Sequence, residues 1–221
     1  MIHQISSSVR TFKSIKFRSG LNIVVAEKSK GATDRNTRNG SGKSSLLKIV
    51  NFLQGSDCGK DSIFRYASIL KENFSMAFDL AGEKTTVTRS GEEPSRILVD
   101  GVYDKWPVKP KLHKDSGEMR ISNTNWKTVL GHVMFGLPAS PPAHSPTYRA
   151  MFGYFVRREG SGAFQAAQKQ SSQQQNWDVQ VNLSALLGLN DKIPRDLQLV
   201  RKKEKSISTL QREARVEFLA S

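Results

Sequence analysis

Cysteine, acidic side chains and long apolar runs are all scarce in this chain. Its 221 residues include a single cysteine, Cys58, which excludes an internal disulfide and is typical of a reducing compartment. No apolar run approaches roughly 18 residues, the length at which a membrane-spanning helix becomes a candidate. The N-terminal stretch MIHQISSSVR has no apolar core, so it does not resemble a secretory signal. We therefore expect a cytoplasmic protein with no membrane partner.

The deficit of acidic residues leaves the chain strongly basic. It has 34 Lys and Arg against 20 Asp and Glu, a formal net charge of +14. Such an excess favours a polyanionic partner, and nucleic acid is the first candidate. The basic residues are scattered along the chain, so the sequence does not define one binding patch. Hydrophobic residues make up 37%, which is ordinary for a folded protein that buries a core.

The most informative stretch is NGSGKSS, residues 39–45. It follows the apolar run 21–26, which we predict to be a buried strand, and it precedes a predicted helix over 44–54 that stops at Gly55. Strand, glycine-rich loop and helix in this order are typical of a phosphate-binding loop of the Walker A type. The glycines allow backbone N–H groups to close around phosphate oxygens, and the start of the helix adds its positive end.

Each residue of this loop has an expected role in binding ATP and Mg²⁺. Lys43 is expected to contact the β- and γ-phosphates as the catalytic residue, and the Ser44 hydroxyl is expected to ligate Mg²⁺. The predicted nucleotide-binding residues are Asn39, Gly40, Ser41, Gly42, Lys43, Ser44 and Ser45.

The loop departs from the full pattern at one position. The pattern places a glycine five residues before Gly42, and this chain has Thr37 there. The polar insertion EKSKGATDRNTR, residues 27–38, separates the strand from the loop, so the chain leaves the strand by a longer path. The alternative interpretation is a chance Gly/Ser/Lys turn on a basic surface.

Periodicity predicts a mixed α/β protein over the rest of the chain. A strand at 14–17 precedes the loop, and alternation of period two predicts an antiparallel meander over 74–80, 85–89 and 96–101. Helical spacing predicts helices over 126–137 (capped at Asn123), 148–156, 181–189 and 196–218, the last with apolar residues at roughly heptad spacing. Polar composition predicts loops over 104–122 and 160–175.

Three blocks of sequence resemble the N-terminal half-head of SMC/RecN-like ATPases of the ABC class, which are P-loop NTPases. The first is FKSI…F…GLNIVV (12–25) leading into the loop motif, in the variant form TDxxxRNGxGKS found in an uncharacterised bacterial branch of that class. The second is YFVRREGSGAF (154–164), and the third is W…NLS…LLGL (177–189) leading into a coiled coil. The similarity covers residues 10–200.

The resemblance implies an incomplete ATPase. It implies an N-terminal ATPase lobe over residues 1–194, followed by the start of a coiled-coil helix over 195–221. A C-terminal lobe, on the same or a companion polypeptide, would supply the signature motif and the glutamate that polarises water, and two heads would form a homodimer around ATP. The implied activity is ATP hydrolysis coupled to DNA, in repair or in defence against foreign DNA, near the nucleoid.

Two other functions stay open on the sequence. The stretch ILVD, residues 97–100, resembles a metal-binding strand, so a self-contained P-loop kinase or NTPase would use Asp100 for its metal. Gly101 stands where the catalytic glutamate would follow, which favours a turn aspartate instead. The second alternative is a non-catalytic basic DNA-binding module with a degenerate loop.

Overall fold

The computed structural model describes residues 1–25 and 43–220, and the chain divides into two compact units between Ala139 and Ser140. None of the described helices is both long enough and apolar enough to cross a membrane.

The first unit is built on a sheet with seven strands among the described residues. These strands are β1 (Ile2–Ser7), β2 (Ile15–Lys16), β3 (Asn73–Leu80), β4 (Glu83–Ser90), β5 (Arg96–Asp100), β6 (Lys111–Leu112) and β7 (Met119–Ser122). Neighbouring strands are antiparallel, and their spatial order is β2-β1-β3-β4-β5-β7-β6. The predicted meander is confirmed as β3, β4 and β5. The P-loop fold itself stays a prediction.

Alternation along the strands places one face of the sheet in the core. In β3, Phe74, Met76 and Phe78 are buried, whereas the residues between them are less so. Successive side chains of a strand point to opposite faces, so this pattern marks a single buried face. Helices α1 (Lys43–Leu53) and α2 (Asn123–Phe135) pack on it, and Trp126 of α2 meets Phe78 edge-on at 6.3 Å between ring centres.

Helix α2 has a well-defined beginning and end. Its N-cap is Ser122, whose hydroxyl accepts from the backbone N–H of Asn125 at 3.1 Å, so the predicted cap at Asn123 is wrong by one residue. Asn123 instead begins the helix and donates from its side chain to the Gly55 carbonyl. Gly136 ends the helix at φ 65°, a left-handed conformation that glycine adopts without a steric penalty.

The predicted buried strand at 21–26 is wrong over its described part. Residues 21–25 form no strand, and Leu21 and Ile23 are 88% and 74% exposed. The physical reason is that a strand needs a hydrogen-bonded neighbour, and no described strand pairs with this segment. Ala26 lies outside the described residues.

Three elements of the first unit were not predicted. Strand β1 pairs with β3 and buries Ile5 against Met76, although its sequence is mostly polar. Within the predicted loop 104–122, the chain forms β6 and β7 and buries Trp106, which is 3% exposed. The strands β6 and β7 are too short for an alternating pattern to be recognised in their sequence. Cys58, with intermediate burial, lies in the segment after α1.

The second unit contains helices α3 (Tyr148–Phe155), α4 (Asn176–Leu186) and α5 (Lys192–Ala220). The predicted helices are confirmed, but α4 begins five residues earlier than expected and α5 four residues earlier. The predicted domain boundary between residues 194 and 195 falls inside α5 and stays a prediction.

A polar network joins α3, the loop after it and α4. The Asn182 side chain accepts from the Thr147 backbone N–H and donates to the Asp178 side chain at 2.8 Å. Asp178 also accepts from Gln174, whose other amide atom accepts from the Tyr154 hydroxyl. Asn182 and Gln174 are both buried, so these bonds compensate for the removal of two amides from water.

Candidate functional site

The predicted phosphate-binding loop lies only partly within the described residues. Asn39, Gly40, Ser41 and Gly42 lie outside them. Lys43 is the first residue of α1, although its side chain is outside the described part, and Ser44 and Ser45 follow in the first turn with exposed side chains. The structure therefore places the last three predicted residues together at the beginning of one helix.

Helix α1 is exposed at its beginning and buried at its end. Leu47 is 44% exposed, whereas Phe52 and Leu53 are 1% and 0% exposed. The first turn contains no acidic residue. The first N–H groups of a helix have no acceptor within it, and the aligned peptide dipoles add partial positive charge there. The exposed start of α1 can thus accept an anion, with the hydroxyls of Ser44 and Ser45 beside it.

Several buried contacts hold the other end of α1 against the sheet. The Phe52 ring stacks on Phe64 at 4.0 Å between centres, and the Trp126 indole N–H donates to the Leu53 carbonyl at 2.9 Å. Arg89 of β4, which is 2% exposed, donates to the carbonyls of Phe52 and Ser56 at 2.5 and 2.8 Å. These bonds fix the position and direction of the helix that carries the motif.

Sequence reasoning missed the part played by Arg89. The alternation predicts a strand at this position and gives the arginine no further role. The signal was present, because Thr85, Val87 and Arg89 share the buried face of β4 and an arginine in that series must meet acceptors inside. It does so by bonding backbone carbonyls, and its guanidinium also lies 4.2 Å from the centre of the Phe52 ring.

Asp100, the residue of the alternative metal site, occupies an exposed position at the end of β5. Both neighbours of β5 are antiparallel, and Asp100 lies opposite Thr86. Over the described residues, no group of three His, Cys, Asp or Glu side chains is arranged to hold a metal ion. This placement fits the turn aspartate better than a metal-binding strand beside a phosphate loop.

A cavity of about 290 Å³ adjoins Asp100 on the side of the sheet away from the helices, and Glu118 and Tyr103 also line it. Glu118 already pairs with Arg120 at 2.8 Å, and hydrogen bonds from Arg120 and Ser116 hold the pKa of its carboxyl below the usual value. Burial raises the pKa of Tyr103, whose hydroxyl donates to the Val99 carbonyl. One of the two carboxylates is thus engaged, which does not favour a metal here.

Helix α5 presents a basic and apolar surface. Over the residues whose side chains are described, Ile193, Val200, Ile207 and Leu210 are all more than half exposed. The basic residues of this helix are Lys192, Arg195, Arg201, Lys202, Lys203, Lys205, Arg212 and Arg215. Between them stand fewer acidic residues, namely Asp196, Glu204 and Glu213.

Comparison with known protein families, with characterised proteins and with solved structures finds no match for this chain.

Proposed function

We propose that this chain is the ATP–Mg²⁺-binding N-terminal lobe of an SMC-like ATPase of the ABC class that acts on DNA. The observation that carries the proposal is that Lys43, the lysine of the GSGKS motif, lies in α1 and is followed there by the exposed residues Ser44 and Ser45. A glycine-rich loop that opens a helix is the arrangement with which proteins bind nucleotide phosphates.

The proposed roles follow from the chemistry of the side chains. The Lys43 ammonium would neutralise the β- and γ-phosphates, and the Ser44 hydroxyl would hold Mg²⁺, which would supply further positive charge. Asn39, Gly40, Ser41, Gly42 and Ser45 supply backbone N–H groups around the phosphates. Arg89 acts at the far end of α1 by keeping the helix in place.

Hydrolysis is assigned to a larger assembly. Among the described residues, no carboxylate follows a parallel strand where it could orient the attacking water, which supports a site that is shared with other parts of the assembly. A C-terminal lobe and a second head would complete the site. The exposed apolar residues of α5 support its extension into a coiled coil, and the net charge of +14 supports DNA as the polyanion.

Calorimetric titration of ATP–Mg²⁺ into wild type and the Lys43→Ala variant tests the proposal. Loss of one charged contact to phosphate corresponds to about 1.5–3 kcal/mol, so we expect affinity to fall roughly 10- to 100-fold. The matched control is Lys48→Ala, which removes the same charge from an exposed position on the same helix. Equal affinity of wild type and Lys43→Ala would refute the nucleotide loop.

Phosphate release separates the proposal from its alternatives. We expect this chain to bind ATP and to hydrolyse it negligibly, because binding without alignment of water leaves most of the barrier in place. Brisk turnover that is abolished by Asp100→Asn would favour the self-contained kinase or NTPase. DNA binding without any nucleotide affinity would favour the basic DNA-binding module.

A further inference from the structure

An open cavity of about 440 Å³ lies at the beginning of helix α4 in the second unit. Gln175, Asn176 and Trp177 line it from the start of α4, and Gln198 and Arg201 line it from α5. Lys169, on the loop before α4, also lines it. All of these residues belong to the second unit, whereas the GSGKS motif belongs to the first.

The charged groups around this cavity are positive. Lys169 and Arg201 both line it, and neither takes part in an ion pair among the described residues. No carboxylate of the described residues lines the cavity. Asp178, in the first turn of α4, is bonded to Asn182 and Gln174 through its two oxygens at 2.8 and 2.7 Å. Two cations therefore face the cavity without a neutralising partner in it.

Backbone donors lie beside the same cavity. Gln198 also lines it, but its Nε2 is shielded from solvent and is therefore not assigned to a ligand. The N-cap of α4 is Gln175, which makes no side-chain cap bond, so the first N–H groups of the helix are not capped by it.

The walls of the cavity are fixed before any ligand arrives. Gln174, another lining residue, is 7% exposed and is held by Tyr154, Asp178 and the backbone N–H of Gln170. The Trp177 ring meets His144 edge-on at 5.1 Å between centres. A site whose groups are already ordered pays less entropy when it binds.

We propose that this cavity binds a phosphate group. Lys169 and Arg201 supply the charge, and the start of α4 supplies backbone N–H groups and the positive end of its dipole. The phosphate belongs either to a nucleic acid backbone or to a free phosphate compound such as a nucleotide. The site does not depend on the GSGKS loop, so it goes beyond the nucleotide binding proposed above.

Tryptophan fluorescence provides a direct test with inorganic phosphate as the probe. Trp106 and Trp126 are 3% and 0% exposed in the first unit, whereas Trp177 lines the cavity, so Trp177 is the fluorophore that senses an anion there. At constant ionic strength, phosphate should change the emission saturably, and Trp177→Phe should abolish the change. The double variant Lys169→Met/Arg201→Met should weaken phosphate binding roughly tenfold or more.

Two controls make the test specific. Lys60→Met/Lys71→Met removes the same charge from exposed positions of the first unit and should leave the fluorescence response unchanged. Lys43→Ala should also leave it unchanged, even if that variant loses ATP. A response that disappears in Lys43→Ala but persists in Lys169→Met/Arg201→Met would overturn the cavity site.

Anisotropy with duplex DNA across a salt series distinguishes the two sources of phosphate. If the phosphate belongs to DNA, Lys169→Met/Arg201→Met should reduce the slope of log affinity against log salt by about 1.8, since each lost contact removes about 0.9. An unchanged slope together with saturable binding of inorganic phosphate assigns the site to a free phosphate compound. No saturable response to phosphate together with an unchanged slope would refute the proposal.

Discussion

Replacement of Arg89 by methionine should detach the end of α1 from the sheet. Arg89 is 2% exposed and donates to the carbonyls of Phe52, Ser56 and Pro94, at 2.5, 2.8 and 2.7 Å. Methionine is apolar and of similar length, so it fills most of the space but donates no hydrogen bond. The variant therefore tests the hydrogen bonds more than the packing.

The magnitude follows from the carbonyls that are left behind. The Phe52 carbonyl keeps a second donor, the Gly55 N–H at 3.2 Å, whereas the carbonyls of Ser56 and Pro94 each lose the bond from Arg89. An orphaned group costs about 1–3 kcal/mol, with the lower end applying here because Ser56 and Pro94 are only half-buried. The variant no longer has to bury a charged guanidinium, and this gain offsets part of the loss of stability from the unpaired carbonyls. We expect a net loss of about 1–2 kcal/mol.

Urea denaturation in a Trp177→Phe background measures this loss, because Trp106 and Trp126 then report on the first unit alone. With a slope of about 1–3 kcal/mol per molar urea, the midpoint should fall by roughly 0.5–1 M. The control is Arg65→Met. Arg65 is exposed and donates to one carbonyl, that of Gly91, at 2.8 Å, so this variant should lower the free energy of unfolding by less than about 1 kcal/mol. If Arg89→Met and Arg65→Met lose the same small amount, Arg89 does not anchor α1.

Two further predictions concern the first unit. A Cβ added at Gly91 would lie 1.6 Å from the Phe64 carbonyl oxygen. In the same urea assay, Gly91→Ala should therefore lower the free energy of unfolding by about 1–3 kcal/mol. Gly59 has open space around it, so Gly59→Ala should change the free energy of unfolding little. Hydrogen bonds from His3 and the N-terminal amine of Met1 lower the pKa of the Asp79 carboxyl from its usual 3.8. The stability that the ionised carboxylate adds is therefore present above about pH 4, and it is lost as the pH falls through the lowered pKa of Asp79. Urea midpoints measured from pH 6 to pH 2 should therefore converge for wild type and Asp79→Asn at the acid end, and a constant difference would contradict this.

The parts of the fold that were predictable are those in which local pattern and tertiary environment agree. Strand β3 alternates over its eight residues and β4 over its last six, and one face of each is buried, so local sequence carries much of the signal. The segment 21–25 is as apolar as a core strand, yet its burial depends on a pairing partner that sequence pattern does not reveal. The polar strand β1 shows the converse, since its place is set by pairing with β3.

The candidate sites also differ in how far the sequence alone predicts them. The position of Ser44 and Ser45 in the first turn of a helix followed from the motif and the apolar run after it. The anchoring by Arg89 and the cavity at α4 depend on which carbonyls, amides and cations the fold brings together, and these residues are distant in sequence. Gln198 and Lys169, for example, form no local pattern, so no spacing rule finds them.

The exposed segment Leu21–Val25 has a consequence for the behaviour of the purified chain in solution. Its four apolar side chains, which pair with no described strand, form a surface that can associate with an identical segment of another molecule. The net charge of +14 opposes such association by repulsion between molecules. Salt shortens the reach of that repulsion from about 10 Å at 0.1 M to about 3 Å at 1 M. High salt, which releases bound DNA from a basic protein, should therefore also promote self-association of this chain, so a preparation freed of nucleic acid in high salt is best returned quickly to a lower ionic strength.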